Sequence, residues 1–192
     1  MSTTVMMERI AETSPRSKAR IAGVFYLLNI LTGALALFVS GRLGFVAVLI
    51  ATACYIGVTL LFYDIFKPVN RSLSLLAAFF SLAGCAISAL SPFHLALSHI
   101  NPLVFFGFYC LLIGYLIFRS TFLPRLLGVL MAIGGLGWLT FLSPPFANYL
   151  SPYNLAPGIL GEGVLTLWLL VMGVNVQRWK EQASAPGEWR TA

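Results

Sequence analysis

The residues of this chain that could do chemistry are few, and the most exposed to question is Glu162. It is the lone carboxylate of the stretch "APGILGEGVLTLWLLVMGV", Ala156 to Val174, which is otherwise apolar. A carboxylate among apolar neighbours can take up a proton, pair with a cation or accept hydrogen bonds from a ligand. Gly158, Gly161 and Gly163 flank it, and Thr166 follows one helical turn later on the same face, so a neighbouring helix can approach closely. A purely structural reading stands beside this one: Pro157 suits a helix start, and negative charge near a helix N-terminus is favoured by the macrodipole. Asn29 is the second candidate, with Tyr26, Thr32, Gly33, Ala36 and Ser40 on or near its face. An amide there serves either as interhelical hydrogen-bonding glue or as a ligand contact.

His94 and His99 are five residues apart, about 140° from each other on a helix, and would not share a face. With Glu162 they could form a two-histidine, one-carboxylate metal set, but nothing in their spacing matches a zinc-helix or Cys/His motif, so no metal and no cofactor is expected. Asp64 precedes Lys67 by three residues and Arg71 by seven, which reads as a screened local ion pair. Cys54, Cys85 and Cys110 all fall inside apolar runs and are an odd count, so they read as small packing residues rather than a disulfide framework. Six acids and two histidines assemble no acid/base pair, nucleophile triad or phosphate-binding loop at known spacings.

The elements that must position these residues are set by composition. Of 192 residues, 59% are hydrophobic and only 9% charged, far from the roughly one-quarter charged share of a soluble domain. Six apolar runs, about 21–40, 43–63, 72–90, 102–118, 126–142 and 158–177, each approach the ~20 residues a helix needs to cross the hydrocarbon core. Backbone groups cannot go unsatisfied in lipid, and alternating barrel patterning is absent, so the fold class is all-α: a polytopic membrane protein with six transmembrane helices in a bundle. Residues 1–20 and 178–192 read as polar, basic, mobile tails around a membrane domain at 21–177. The first run is too long for a signal-peptide core and is read as a retained helix.

The net charge of +6 would suggest nucleic acid in a soluble protein; here its distribution points to the lipid bilayer instead. With the N-terminus inside, eleven of the twelve Lys and Arg residues fall on the inner side and only Arg42 outside, so the positive-inside rule places both termini in the cytoplasm. Short inner turns, "DIFKPVNR" and "RSTFLPR", force antiparallel hairpins. The outer connections are rich in Pro and aromatics, and Phe146, Tyr149 and Tyr153 suit an interfacial belt.

Small residues mark the faces that pack. Ser74, Ala77, Ser81, Gly84 and Ser88 form one stripe on the third run, and Gly128, Ala132 and Gly135 another on the fifth, while Gly107 and Gly114 lie two turns apart on the fourth. Arg20 and Arg125 open similar R-x-x-G-V segments, a weak hint of internal duplication.

Four stretches, "ARIAGVFYLLNILTG", "FKPVNRSLSLLAAFF", "FFGFYCLLIGYLIFRSTFLPRLLGVLMAIGGLGWL" and "GILGEGVLTLWLLVMGVN", together resemble the DUF4386 family. Asn29, Lys67, Asn70, Arg71, Gly114, Arg119, Pro124, Arg125 and Glu162 fall in those motifs. The resemblance implies a prokaryotic integral membrane protein of the inner membrane and carries no catalytic residue over. The leading expectation is a site for a small molecule, a lipid or a proton in an outward-leaning polar pocket between the first and sixth helices, lined by Asn29, Thr32, Glu162 and Thr166. The alternative is a non-enzymatic assembly subunit whose small-residue stripes pair with a second copy or another membrane subunit. An intramembrane enzyme ranks last for want of a motif.

Overall fold

The computed structural model describes residues 14–90 and 101–185. Their order is α1 (Pro15–Phe38), α2 (Gly41–Phe66), α3 (Arg71–Leu90), α4 (Pro102–Arg119), α5 (Arg125–Leu139), a 3-10 turn (Thr140–Leu142), α6 (Pro144–Leu150), a second 3-10 turn (Tyr153–Leu155), α7 (Ala156–Val171) and α8 (Val176–Ser184). Among the described residues there is no strand. Six helices are long and apolar enough to cross a membrane, over Pro15–Ala36, Gly41–Phe66, Arg71–Leu90, Pro102–Arg119, Arg125–Leu142 and Tyr153–Val171. The all-α, six-span architecture expected from composition is therefore the one observed.

Polar side chains cap four of these helices. The Ser14 hydroxyl accepts from the Ser17 N–H at 3.2 Å with Pro15 in the first turn, a cap that starts α1 at Pro15 rather than at 21. Residues 15–20 thus belong to the first helix and not to a tail. Asn70, Asn101 and Asn175 cap α3, α4 and α8 in the same manner, their side-chain oxygens accepting from Leu73, Leu103 and Arg178 N–H groups at 2.9, 2.9 and 3.1 Å.

The C-terminal end departs further from expectation. The sixth run was expected to continue to 177, yet α7 stops at Val171 and Gly173 adopts a φ of +66°, the left-handed conformation that a residue without Cβ takes at little cost. Arg20 donates from Nη2 to the freed Val171 carbonyl at 3.2 Å. The chain then turns into α8, which is held to the bundle: Trp179 Nε1 donates to the Ile65 carbonyl at 2.9 Å, and Gln182 Oε1 accepts from the Thr121 N–H at 3.0 Å and hydroxyl at 3.1 Å. Residues 176–184 are accordingly a docked helix, not a mobile tail.

Each spanning helix packs on its successor, and α7 packs on both α5 and α1, closing the six into a ring. The interior is aromatic. Tyr26, Tyr55, Phe62 and Phe66 meet edge to face, with centroids 5.5 Å apart for Tyr26–Tyr55, 6.0 Å for Tyr26–Phe62 and 5.6 Å for Phe62–Phe66. The outer surface is apolar too: Leu43, Phe79, Leu126, Leu136 and Leu167 are all exposed, a pattern that water would penalise and hydrocarbon does not. Phe146, Tyr149 and Tyr153 are exposed on the connection before α7. At the end carrying both described termini, Asp64 pairs with Lys67 at 3.0 Å, as its spacing suggests, and also with Lys18 of α1 at 2.8 Å.

Candidate functional site

Glu162 is the seventh residue of α7, about 9 Å along its axis, and it points into the ring with 9% of its surface exposed. Its Oε1 accepts from Trp138 Nε1 at 2.9 Å and from Cys110 Sγ at 3.5 Å. Thr166 turns its hydroxyl back to the Glu162 carbonyl at 2.7 Å, so it stiffens the helix without reaching the carboxylate. Trp138 reaches Glu162 because Gly158 lies beneath the indole: a Cβ there would overlap the ring. The same seam is tight elsewhere, since a Cβ on Gly161 would lie 2.6 Å from the Leu130 carbonyl oxygen and one on Gly137 2.9 Å from that of Asn154. Glycine spacing on α5 and α7 is therefore what brings the indole to the carboxylate.

Three buried tyrosines complete the surroundings. The Tyr26 hydroxyl lies 3.5 Å from that of Tyr55 and close enough to the carboxylate to interact with it. Tyr55 packs on Tyr109 with centroids 5.7 Å apart, and the Tyr109 hydroxyl is buried with no hydrogen-bond partner among the described residues. All three tyrosines and Cys110 are within electrostatic reach of Glu162. Among the described residues no lysine or arginine pairs with Glu162. The arrangement is a carboxyl group ringed by one indole N–H, one thiol and phenolic hydroxyls from four other helices. Chemically it can hold a proton or grip a small hydrogen-bonding molecule; among the described residues no group of three or more His, Cys, Asp or Glu side chains could hold a metal. His94 and His99 lie outside the described residues.

The residues singled out from sequence divide between this site and the packing. Asn29 and Thr32 are half-buried on α1, and the Thr32 hydroxyl is spent on the Leu28 carbonyl at 2.7 Å. Neither makes a hydrogen bond to Glu162 among the described residues; the neighbours of the carboxylate are Cys110 of α4 and Trp138 of α5, with Tyr26 the contribution of α1. The small-residue stripes lie inside the chain's own ring. Ser81 bonds Thr59 of α2 at 2.5 Å, and Gly84 faces the Phe106 ring. Gly114 and Gly128 put α4 and α5 in backbone contact, a Cβ on either meeting the other's carbonyl oxygen at 2.7 or 2.5 Å, with Ala132 and Gly135 continuing the seam toward Gly107. Lys67 and Asn70 build the α2–α3 turn, where Arg71 opens α3 and is exposed. Arg119, Pro124 and Arg125 bracket the turn between α4 and α5.

Trp138, Cys110, Tyr55 and Tyr109 were missed as site residues, and Tyr26 was placed only on or near the Asn29 face. The available signal was that Tyr26, Tyr55 and Tyr109 sit well inside apolar runs, where a hydroxyl needs a partner, instead of at the ends where an aromatic belt would place them.

Comparison with known proteins agrees with the family resemblance. The family model described as "Domain of unknown function (DUF4386)" matches residues 40–101 and 89–173. An uncharacterised protein of Archaeoglobus fulgidus is 27% identical over 130 residues, which cover 65% of this chain and 78% of that relative. No solved structure matches.

Proposed function

The chain belongs to the DUF4386 family, and we propose that its Glu162 cluster binds one small occupant, a proton or a compact hydrogen-bonding molecule, within a bundle in the prokaryotic cell membrane. Both termini face the cytoplasm in this reading. The observation that carries it is a carboxyl group buried in the ring with donors around it and no cationic partner among the described residues. Placing such a group in a spanning helix is costly and marks a site for protons, ions or ligands more often than a structural accident. The unpartnered Tyr109 hydroxyl adds a second polar atom that an occupant would satisfy. The orientation rests on the basic residues, which gather at the end holding Lys18, Lys67, Arg119, Arg125 and Arg178.

Glu162→Gln tests the site, because the amide keeps an acceptor for Trp138 while giving up the exchangeable proton and the charge. In lipid, pH-difference infrared spectra of the wild type should contain a carboxyl band that Glu162→Gln lacks. If the occupant is a molecule, native mass spectrometry should find a co-purified mass that the variant loses. Spectra identical between the two proteins across the accessible pH range, together with no bound mass in either, would sink the reading.

A further inference from the structure

A second site lies at the other end of α4, away from Glu162, where the "FRSTFLPR" segment meets α8. A cleft of about 710 Å³ opens there, lined by Arg119, Arg125 and Arg178, with Thr121 and Gln182 between them and Glu181 as the single carboxylate. Three guanidinium groups against one carboxylate leave the cleft with a net positive lining. Its walls are fixed in place: α8 is capped by Asn175 and pinned by Trp179, and Arg178 donates from Nη1 to the Thr121 carbonyl at 3.4 Å. Next to the cleft, a shallow groove of about 300 Å³ runs along the outer face of the α4–α5 pair. Leu111, Tyr115, Val129, Ile133 and Leu136 line it, and it exists because Gly114 and Gly128 draw the two backbones together and leave no side chain to fill the surface. Phe118 lines both spaces, and the Arg125 guanidinium stands over its ring, 5.6 Å from the centroid, at the point where they join.

We propose that these two spaces form one binding site for an anionic phospholipid, its phosphate in the arginine-lined cleft and an acyl chain along the α4–α5 groove. Guanidinium forks match phosphate oxygens in pairs, and basic pockets between spanning helices are suited to anionic head groups. The apolar groove decides between a lipid and a soluble phosphate compound, because a free anion would use only the cleft. The groove also faces outward, where Tyr115, Ile133 and Leu136 are exposed and acyl chains are at hand.

The full chain, purified in mild detergent, is offered phosphatidylglycerol, phosphatidylcholine or inorganic phosphate, and retention is read by native mass spectrometry and by the thermal midpoint. Phosphatidylglycerol should be retained at one per chain and raise the midpoint above that in phosphatidylcholine, with inorganic phosphate giving no comparable rise. Arg125→Gln with Arg178→Gln should weaken retention roughly thirtyfold, the effect of two surface charges on an anionic lipid. Ile133→Trp, which fills the groove and leaves every charge in place, should also weaken it. Equal retention of phosphatidylglycerol and phosphatidylcholine overturns the site. An equal response to inorganic phosphate, or no loss on filling the groove, overturns the lipid as its occupant. Variants whose midpoint in phosphatidylcholine matches the wild type serve as the comparison, so altered folding is read separately from altered binding.

Discussion

Trp138 has one N–H to give and Glu162 takes it, so the two partners of this bond are not interchangeable in a mutant. Trp138→Phe keeps most of the ring but removes a donor from a buried carboxyl group, and the expected cost is about 1–3 kcal/mol, read as a lower unfolding midpoint in mild detergent. Glu162→Ala should cost at least as much, since it orphans the indole N–H and opens a void, whereas Glu162→Gln should cost less than either. Tyr109 makes the opposite case. Its hydroxyl is buried and unpartnered among the described residues, so Tyr109→Phe should be neutral or stabilising by up to about 1 kcal/mol. A loss larger than that would show the hydroxyl to be bonded. If a ligand fills the site, the same substitution should weaken its retention while leaving the empty protein as stable as before.

Among the elements, α5 is the one on which both sites depend, because its glycines face two neighbours at once. Gly128 meets α4, and Gly134 and Gly137 meet the start of α7. Gly128→Ala sets a Cβ against the Gly114 carbonyl oxygen at 2.5 Å and the Phe118 amide nitrogen at 2.8 Å, backbone atoms that cannot swing aside. A cost of about 1–3 kcal/mol is expected. Gly158→Ala should cost a similar amount and, by displacing the indole, shift the tryptophan fluorescence as well. The number of spans, their approximate limits and the small-residue seams were all legible from sequence, because lipid imposes length and apolarity on every crossing. Partner assignment was not. The faces of Glu162 and Asn29 both follow from helical periodicity, but which helix a face meets is decided by ring order, and ring order leaves no mark in a local window. The end of α7 escaped notice for a related reason: Val174 continues the apolar run past Gly173, and only the positive φ reveals that the helix has already stopped.

At the scale of the whole molecule, the separation of charges between its two ends makes a prediction about orientation. With both termini inside, a cysteine at position 42 should react with a membrane-impermeant maleimide in intact cells, and one at position 180 only after permeabilisation; the reverse pattern would invert the molecule. The ion pair of Lys18 and Asp64 links the neighbouring helices α1 and α2 and is about one-third exposed, with 27% and 34% of the side-chain surfaces open. Lys18→Ala should therefore cost no more than about 1 kcal/mol, and less as salt is added.

The closure of α7 onto α1 joins the first spanning helix among the described residues to the last of them. Until α7 is synthesised, the nascent chain holds an unfinished arc: the α1 flank that α7 covers is bare, and the indole of Trp138 waits for its acceptor. A chain halted before Glu162 would stay an open arc, lacking both the carboxylate and most of the helix that closes the ring.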